Sequence, residues 1–251
     1  MSQFRLVILD NVKGQLDSCE AQKAFTDMVF AKQKNFLRTD ENYVVMDKHD
    51  MIGTHYLIYD TSNFQNPTPV LAIRTTFTSR ALVHKIETPL VSLLPYMDSK
   101  AQGLFTEFKK RHKEIVDCNA WFVDPSFSKK HSGLRLSDVA YLMVVMNILQ
   151  EGAGNFIGCA NEKYNASRWL TGMGDTPQDS FFEHPSVKCT HKLVLMENFN
   201  LYHFANIFAQ YEELMKDLVE IRPSKEGRTS LYEFSKNTLG PYLATQEPKA
   251  A

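Results

Sequence analysis

The sequence predicts a single α/β domain in which helices flank a central mixed β-sheet. The composition is globular, strand-like and helix-like segments alternate, and one strand–loop–helix–strand unit lies in the middle of the chain. The 251 residues are 43% hydrophobic and 23% charged, as expected for a folded domain. No linker or internal repeat divides residues 1–251, so one domain is expected, with its core at about 18–222 and a polar tail at 223–251.

The first half of the chain predicts three strands and two long helices. Phe4 to Asp10 is a short apolar run typical of a strand. Asp17 or Ser18 can cap a helix, and apolar residues at helical spacing follow, which predicts a helix from about 18 to 36. Turn residues separate His55–Asp60 from Val70–Phe77, and this pattern predicts an antiparallel hairpin. Amphipathic spacing predicts the second helix over Ala101–Val116.

The middle of the chain predicts two strands joined by a buried helix. Asn119–Val123 is a strand stopped by Asp124 and Pro125, and a polar loop follows. The helix over about Ser137–Gln150 is apolar nearly all round, so we expect it to pack against the sheet. Asn155–Ala160 is the next strand. The unit has the length of a βαβ crossover, so the two strands are expected to be parallel.

The last third predicts two helices and one strand. Asn165–Thr171 is a short helix, and alternating apolar residues predict a strand over Val187–Met196. Leu201–Ile221 has the spacing of a long amphipathic helix, which Arg222 and Pro223 end. The residues beyond carry one weak apolar cluster and a polar end.

Charge and apolar patterning exclude several classes of protein. Twenty-eight basic residues face 29 acidic ones, which is not the basic excess of a non-specific nucleic-acid binder. No apolar run approaches the ~20 residues of a membrane span, and the first residues lack signal-peptide features. Four well-separated cysteines without a CxxC pair fit reduced thiols. A cytoplasmic protein without a nucleic-acid partner or an integral membrane segment is expected.

Histidines and cysteines form no local catalytic motif. The eight histidines show no HxxxH, HxH or HExxH spacing, so no metal site is predicted. Cys159 on a central strand and His191 on a later strand can form a nucleophilic pair. The alternative is that Cys159 is a small core residue, since cysteine is among the most buried residue types.

The polar loop before the buried helix is a candidate anion site. Phosphates are often bound where a strand feeds a loop and a helix N-terminus, because free N–H groups and the helix dipole meet there. Several side chains of the loop add positive charge or hydroxyl groups. The candidate residues are Ser128, Lys129, Lys130, His131, Ser132 and Gly133. The alternative is a solvated basic loop, because the stretch has one glycine.

The same region resembles the coenzyme-binding core of the GNAT acyltransferase superfamily. The matching stretch is V-D-P-S-F-S-K-K-H-S-G-L-R-L, then the buried helix, then G-N-F-I-G-C-A-N. The family core runs strand, V-x-P, a loop of the type R/Q-x-x-G-x-G/A, helix, and a strand ending in Asn. Arg135 stands where a second small residue is usual. Trp169 or Leu170 replaces the tyrosine that often serves as general acid.

This resemblance implies a site for the pantetheine and phosphates of a coenzyme. The implied contacts are Trp121, Phe122, Val123 and Asn161, together with the loop from Ser128 to Gly133. A strand that splays away from its neighbour at Trp121–Val123 leaves backbone N–H and C=O groups free for pantetheine and for a developing oxyanion.

The first half of the chain resembles one branch, the acyl-homoserine lactone synthases and their N-acyl amino acid synthase relatives. Those proteins show D-x-x-D, a Y-L strand, an L-R strand and E-x-S-R-F-A-V, in that order. The corresponding stretches here are Asp47-x-x-Asp50, Tyr56-Leu57-Ile58, Ile73-Arg74 and D-C-N-A-W-F-V. The resemblance places Asp117 at the family's Glu and Arg74 at its strand arginine. Ala120 stands where a second arginine belongs.

Amine acylation needs a base, donors for an oxyanion and a slot for pantetheine. Asp117 is the candidate base, with a simple turn aspartate as the alternative. Arg74 within an apolar strand needs a carboxylate or phosphate partner, unless it lies on the exposed face of an edge strand. Asp47 and Asp50 are expected to hold a substrate amine or to pair with Arg74; ordinary loop acids are the alternative.

The resemblance implies an acyltransferase whose co-substrate is acyl-carrier protein or acyl-CoA, with no tightly bound cofactor. The expected reaction moves the acyl group from the phosphopantetheine thioester to a small amine, an amino acid rather than a lactone precursor. The alternatives are an acetyl-CoA-dependent N-acetyltransferase and a non-catalytic ligand-binding or regulatory protein. The altered phosphate loop favours the non-catalytic alternative, whereas Asp47, Arg74 and Asp117 favour an enzyme.

Overall fold

The computed structural model describes residues 3–37, 46–127, 134–164, 166–175, 180–185 and 189–244. The strands are β1 Phe4–Asp10, β2 Thr54–Asp60, β3 Thr68–Phe77, β4 Val116–Val123, β5 Phe156–Asn161, β6 Phe181–Glu183, β7 Thr190–Met196 and β8 Val219–Ile221. The α-helices are α1 Cys19–Phe36, α2 Lys48–Ile52, α3 Thr78–Val83, α4 Ser99–Arg111, α5 Leu136–Gln150, α6 Ala166–Leu170, α7 Leu201–Lys216 and α8 Leu231–Ala244. Short 3₁₀ turns occupy Val12–Gln15, Val91–Tyr96, Pro125–Phe127 and Glu162–Tyr164.

The strands form one mixed sheet in the order β6–β7–β5–β4–β3–β2–β1–β8. β1 runs parallel to β8, and β4 runs parallel to β5. The other neighbouring pairs are antiparallel. The predicted α/β class with a central mixed sheet is confirmed. The β2–β3 hairpin and the parallel strands on either side of the buried helix are confirmed with it.

Helices cover both faces of this sheet. α5, α7 and α8 pack on one face around the largest apolar cluster, and α5 is buried from Val139 to Met146. The other face carries two smaller clusters, one under α1 and one under α4. Polar side chains of β3 and β4 on that face lie between the two clusters. None of the helices in the described ranges is long and apolar enough to cross a membrane.

Two predicted helices end earlier than their spacing indicates. α4 ends at Arg111 rather than Val116, and Val116 begins β4. α7 ends at Lys216 rather than Ile221, because Val219–Ile221 pairs with β1 as the parallel edge strand β8. In both places β-branched residues extend the apolar helical pattern of the sequence. In the structure they pair with a neighbouring strand, and this tertiary pairing overrides the local pattern.

The sequence did not predict α8, the C-terminal helix of the packed core. α8 begins after Ser230, whose Oγ accepts from the Glu233 amide at 3.2 Å. Leu231 and Leu239 of this helix are fully buried in the main cluster. The Gly240–Pro241 pair falls inside the helix and weakened its sequence signal. Residues beyond 222 therefore belong to the core, and at the other end β1 does as well.

β4 and β5 pair over only two positions before they separate. The partners are Asp117 with Ile157 and Cys118 with Gly158. A Cβ at Gly158 would lie 2.6 Å from the Cys118 carbonyl oxygen, so glycine permits the close approach at which the opening begins. Beyond it, within the described ranges, β4 pairs with β3 and β5 pairs with β7. The facing backbone edges of the two strands are thus free of each other along the opening.

A bulge at Ala120 changes which side chains of β4 face α5. Ala120 has φ 52°, a left-handed conformation that is uncommon for alanine, and the β3–β4 register shifts beside it. Cys118 before the bulge and Trp121 and Val123 after it all contact the main cluster. Phe122 lies in the cluster under α1 instead. Even-numbered side chains of β4 therefore face α5 before the bulge, and odd-numbered side chains face it after the bulge.

Candidate functional site

A network of buried charged and amide side chains lies on the α1 and α2 face of the sheet, beside the opening between β4 and β5. It draws one residue from α1, two from α2 and its cap, one from β3 and two from β4. The members are Lys32, Asp47, Asp50, Arg74, Asp117 and Asn119. Four of these were predicted as site residues, and Lys32 and Asn119 were not.

The D-x-x-D motif is the start of α2. Asp47 caps the helix, and its Oδ1 accepts from the amides of His49 at 2.8 Å and Asp50 at 3.1 Å. Asp50 Oδ2 accepts in return from the Asp47 amide at 2.9 Å, which completes a capping box. The three-residue spacing therefore satisfies free helical N–H groups, and it also places both carboxylates beside β3.

Arg74 is the centre of the network. Its Nη1 donates to Asp47 Oδ1 at 2.7 Å and to Asp50 Oδ1 at 2.5 Å, and its Nε donates to Asn119 Oδ1 at 2.9 Å. The residue is 3% exposed. A Cβ at Gly53 would lie 2.9 Å from the Arg74 side chain, so glycine makes room for it. Of the predicted alternatives, the pairing of Arg74 with internal acids is the one present.

Lys32 is the second buried cation of the network. Its Nζ donates to both Asp50 oxygens, at 2.8 and 2.6 Å, and the residue is 1% exposed. Burial lowers the pKa of Lys32 although the Asp50 carboxylate favours the charged form. Lys32 follows Met28 by four residues on the buried stripe of α1, and a lysine at such a position was the signal available in the sequence.

The carboxylates of α2 differ in access. Burial opposes the charge of Asp50, but Arg74, His55 and Lys32 outweigh it and hold its pKa below the usual value. Burial also opposes the charge of Asp47, but a hydrogen bond with the His49 side chain and the Arg74 charge outweigh it and hold its pKa low. The Asp50 side chain is fully buried, whereas that of Asp47 is 33% exposed. Asp47 is therefore the carboxylate of this pair that a solute can reach.

Asp117 has a different environment from the other acids. Its Oδ2 accepts from the Leu90 amide at 2.6 Å, and its Oδ1 accepts from Asn119 Nδ2 at 3.0 Å. It is 1% exposed. Burial raises its pKa, and hydrogen bonds from Leu90, Asn119 and Thr88 oppose the rise only in part. Neutral donors hold this carboxyl group, which makes it a better proton acceptor than Asp47 or Asp50.

The predicted coenzyme residues of β4 lie on both sides of the sheet. Trp121 packs edge-on against Tyr141 of α5, with ring centroids 5.6 Å apart. Phe122 packs edge-on against Phe36 of α1, at 6.0 Å. Val123 faces the α5 side with Trp121. The predicted phosphate loop, residues 128–133, lies outside the described residues.

The far side of the opening holds Asn161 and the predicted cysteine–histidine pair. Asn161 Nδ2 donates to Cys189 Sγ at 3.2 Å, and Asn161 stands opposite His191 in the β5–β7 register. Cys159 pairs with Leu193. Burial raises the pKa of the Cys159 thiol to about 12, so it is protonated at neutral pH. The core-residue alternative for Cys159 fits this environment better than a nucleophile does.

The mixed sheet, the opening between β4 and β5 and the helix that follows β4 give the chain a GNAT-like fold, similar to the folds of the solved synthases below. Among solved structures the chain is similar to FeeM, an N-acyl amino acid synthase from uncultured soil microbes. The identity is 10% and the TM-score 0.52, over 84% of this chain and 100% of that chain.

Two acyl-homoserine lactone synthases show the same likeness. The CoA-dependent synthase BjaI, solved with MTA, has 10% identity and a TM-score of 0.54 over 93% of this chain and 99% of that chain. The synthase LasI has 11% identity and a TM-score of 0.52 over 79% and 92%. No protein-family model and no curated protein matches the sequence. At these identities the likeness is one of fold.

Proposed function

We propose that this protein is an N-acyltransferase. It would move an acyl group from a phosphopantetheine thioester, carried by acyl-carrier protein or CoA, to a small amine such as an amino acid. The observation that carries the proposal is the presence of two unlike carboxyl groups in one hydrogen-bonded network, linked through Arg74 and Asn119. Asp47 is accessible with a low pKa, and Asp117 is buried with a raised pKa. An accessible carboxylate with a low pKa is suited to binding a cation, and a carboxyl group with a raised pKa is suited to accepting a proton.

Asp47 attracts the substrate ammonium group toward the site in this proposal. Its Oδ1 is occupied by Arg74 and the α2 amides, and the exposed part of the carboxylate faces outward. Because its pKa is low, the group stays anionic throughout the neutral range. Arg74 and Asp50 are internal partners that fix Asp47.

Asp117 receives the proton that frees the amine. The Leu90 amide covers its Oδ2 in the free chain, so the substrate amine takes the place of that amide. The amine nitrogen then attacks the thioester carbonyl carbon, a C–N bond forms and the C–S bond breaks. The second proton leaves nitrogen for the departing sulfur, so the products are an amide and a thiol. Free backbone N–H groups along the opening are the candidate donors to the oxyanion.

The pantetheine donor would lie in the opening, and its phosphates on the loop from Ser128 to Gly133. Trp121–Val123 on one side and Asn161 on the other form the walls in this proposal. The loop sequence supports the assignment through its two lysines and the α5 N-terminus that follows. The donor is a co-substrate, and no tightly bound cofactor is part of the proposal.

CoA is expected to raise the melting temperature of the protein. A ligand at a hundred times its Kd stabilises the folded state by about 2.7 kcal/mol. The double variant Lys129→Ala, Lys130→Ala should reduce this gain, because it removes two charges from the phosphate site. The matched control is Lys109→Ala, Lys110→Ala in the exposed end of α4, which should leave the gain unchanged. If CoA, acyl-CoA and acyl-carrier protein all leave the melting temperature unchanged, the assignment of the loop as a phosphate site is contradicted.

Ligand binding without turnover is the competing function, and the 1% exposure of Asp117 in the free chain favours it. Thiol release from acyl donors, followed with a thiol reagent in the presence of single amino acids, tests the difference. An N-acyl amino acid synthase releases thiol from long-chain donors only when the right amine is present. A binding protein shows the thermal shift and releases none. An acetyltransferase prefers acetyl-CoA to the longer donors.

A further inference from the structure

Asn119 is hydrogen-bonded to both Arg74 and Asp117, and so it links the charged residues around Arg74 to the candidate base. Its Oδ1 accepts from Arg74 Nε at 2.9 Å, and its Nδ2 donates to Asp117 Oδ1 at 3.0 Å. Arg74 in turn is fixed by Asp47 and Asp50. From this geometry we infer that Asn119 is a positioning residue. Arg74 holds the Asn119 amide, and the amide fixes the orientation of the Asp117 carboxyl group. The inference deepens the proposed function and rests on it.

The chemistry of the two neighbours determines how the amide is turned. A guanidinium group has donors and no acceptor, so only the amide oxygen of Asn119 can face Arg74. The NH₂ group must then point to Asp117. Asp117 and Asn119 lie two residues apart on β4 and share a face of the sheet, and Asn119 stands opposite Arg74 in the β3–β4 register. The bulge at Ala120 comes directly after Asn119. Asp117 and Asn119 therefore point to the same face of the sheet, and the alternation of β4 side chains changes only beyond them.

The orientation matters because Asp117 has two oxygens with different tasks. Asn119 holds Oδ1, while the Leu90 amide holds Oδ2, the atom that the substrate amine must reach. When the Leu90 amide leaves, Asn119 and Thr88 are the remaining hydrogen-bond donors to the carboxyl group. Donation from Asn119 favours the ionised carboxylate against the effect of burial. Asn119 thereby lowers the pKa of the buried base, while the other carboxylate oxygen of Asp117 is available to the amine.

Other groups that face Asp117 do not supply this function. Arg74 on β3 stays charged at all relevant pH values, since Asp50 and Asp47 outweigh the effect of burial and raise its pKa. Cys118 on β4 and Cys159 on β5 are thiols whose pKa values burial raises. The segment that packs on Asp117 from outside contributes the Leu90 amide and Thr88, neither of which titrates. The pKa of Asp117 is therefore set by burial, which raises it, and by its hydrogen bonds and the Arg74 charge, which lower it.

The test is the pH dependence of kcat in Asn119→Leu and Asn119→Ala. A base works only when it is deprotonated, so activity falls as the pH drops through the pKa of Asp117. Loss of the Asn119 donor raises that pKa, and the acid limb of the profile should move up by about one pH unit. The KM for the amine should change less than threefold, because Asp47 is untouched. Asn155→Leu is the control, since it removes a buried amide bonded to the Glu114 carbonyl without touching Asp117.

A second measurement reports on Asp117 without catalysis. Infrared difference spectra between the chain and its Asp117→Asn variant give the titration midpoint of the Asp117 carboxyl group, with and without Asn119. A midpoint raised by about one pH unit in folded Asn119→Ala supports the positioning role. An unchanged midpoint in that folded variant overturns it. If the midpoint moves but no donor and amine pair gives thiol release, Asn119 still sets the pKa of Asp117, and it is the proposed function that fails.

Discussion

Arg74→Met is expected to lower the free energy of unfolding by about 3–5 kcal/mol. The substitution keeps the volume of the side-chain stem and removes the charge that two carboxylates and one amide share. Asp50 is fully buried and would keep its ion pair with Lys32, and Asp47 would lose its direct ion pair with Arg74. An uncompensated buried charge is among the most destabilising changes that a folded protein can suffer.

Urea denaturation of the variant and the parent at pH 7 measures this loss. The control is Arg111→Met, which removes an arginine whose side chain is 52% exposed and paired with Glu197. That change should cost less than about 1 kcal/mol, because surface ion pairs contribute little. Equal stabilities for Arg74→Met and the parent would show that Arg74 is not an anchor of this face. Arg74 would then be available for a direct contact with the substrate.

Asp117→Asn is expected to lower kcat by about 10²–10⁴ while the protein stays folded. The variant cannot accept a proton at the substrate amine. Its effect on stability is the difference of two opposed changes. Removal of a carboxyl group whose ionisation burial disfavours is stabilising, and the new NH₂ group facing Asn119 Nδ2 is destabilising. Steady-state kinetics and circular dichroism on the same samples measure both consequences.

Asp98→Asn is the matched control for this substitution. Asp98 caps α4 by accepting from the Ala101 amide at 2.7 Å, and asparagine caps a helix about as well as aspartate. It should leave kcat unchanged. Full activity in Asp117→Asn would mean that another group or bulk water takes the proton. Asp117 would then only anchor the Leu90 amide and Asn119.

The central β4–α5–β5 unit was predictable because each of its signals is local. An Asp-Pro stop, a helix apolar all round and two glycines before a strand each depend on neighbouring residues alone. The Ser18 cap of α1 and the β2–β3 hairpin were predictable for the same reason. Order and spacing of weak motifs then pointed to Asp47, Asp50, Arg74 and Asp117, and the structure brings these four together.

The features that the sequence did not predict depend on distant partners. Val219–Ile221 becomes a strand because β1 offers it an edge, and nothing local distinguishes it from one more turn of α7. α8 gains its stability from two leucines that enter a cluster formed by other elements. The sequence did not indicate Lys32 because its partner Asp50 lies 18 residues away. Asn119 has Asp117 nearby in the sequence, but its other partner, Arg74, lies 45 residues away.

The D-x-x-D motif shows why a site can be located before it is understood. Its spacing is that of a capping box, and any helix start can use it. Only the position of α2 against β3 turns the same two carboxylates toward Arg74. The sequence could therefore state that these residues belong together. It could not state that Asp50 is buried with Lys32 while Asp47 remains accessible.

The most direct test of the proposed function is mass spectrometry of lipids from cells that over-produce the protein. We expect an N-acyl amino acid to accumulate relative to cells carrying the empty vector, and to be absent from cells that over-produce folded Asp117→Asn at the same level. Its acyl chain and head group would identify the donor and the amine together. If the parent protein gives no N-acylated product, or the variant gives the same amount, the acyltransferase account built on Asp117 is contradicted.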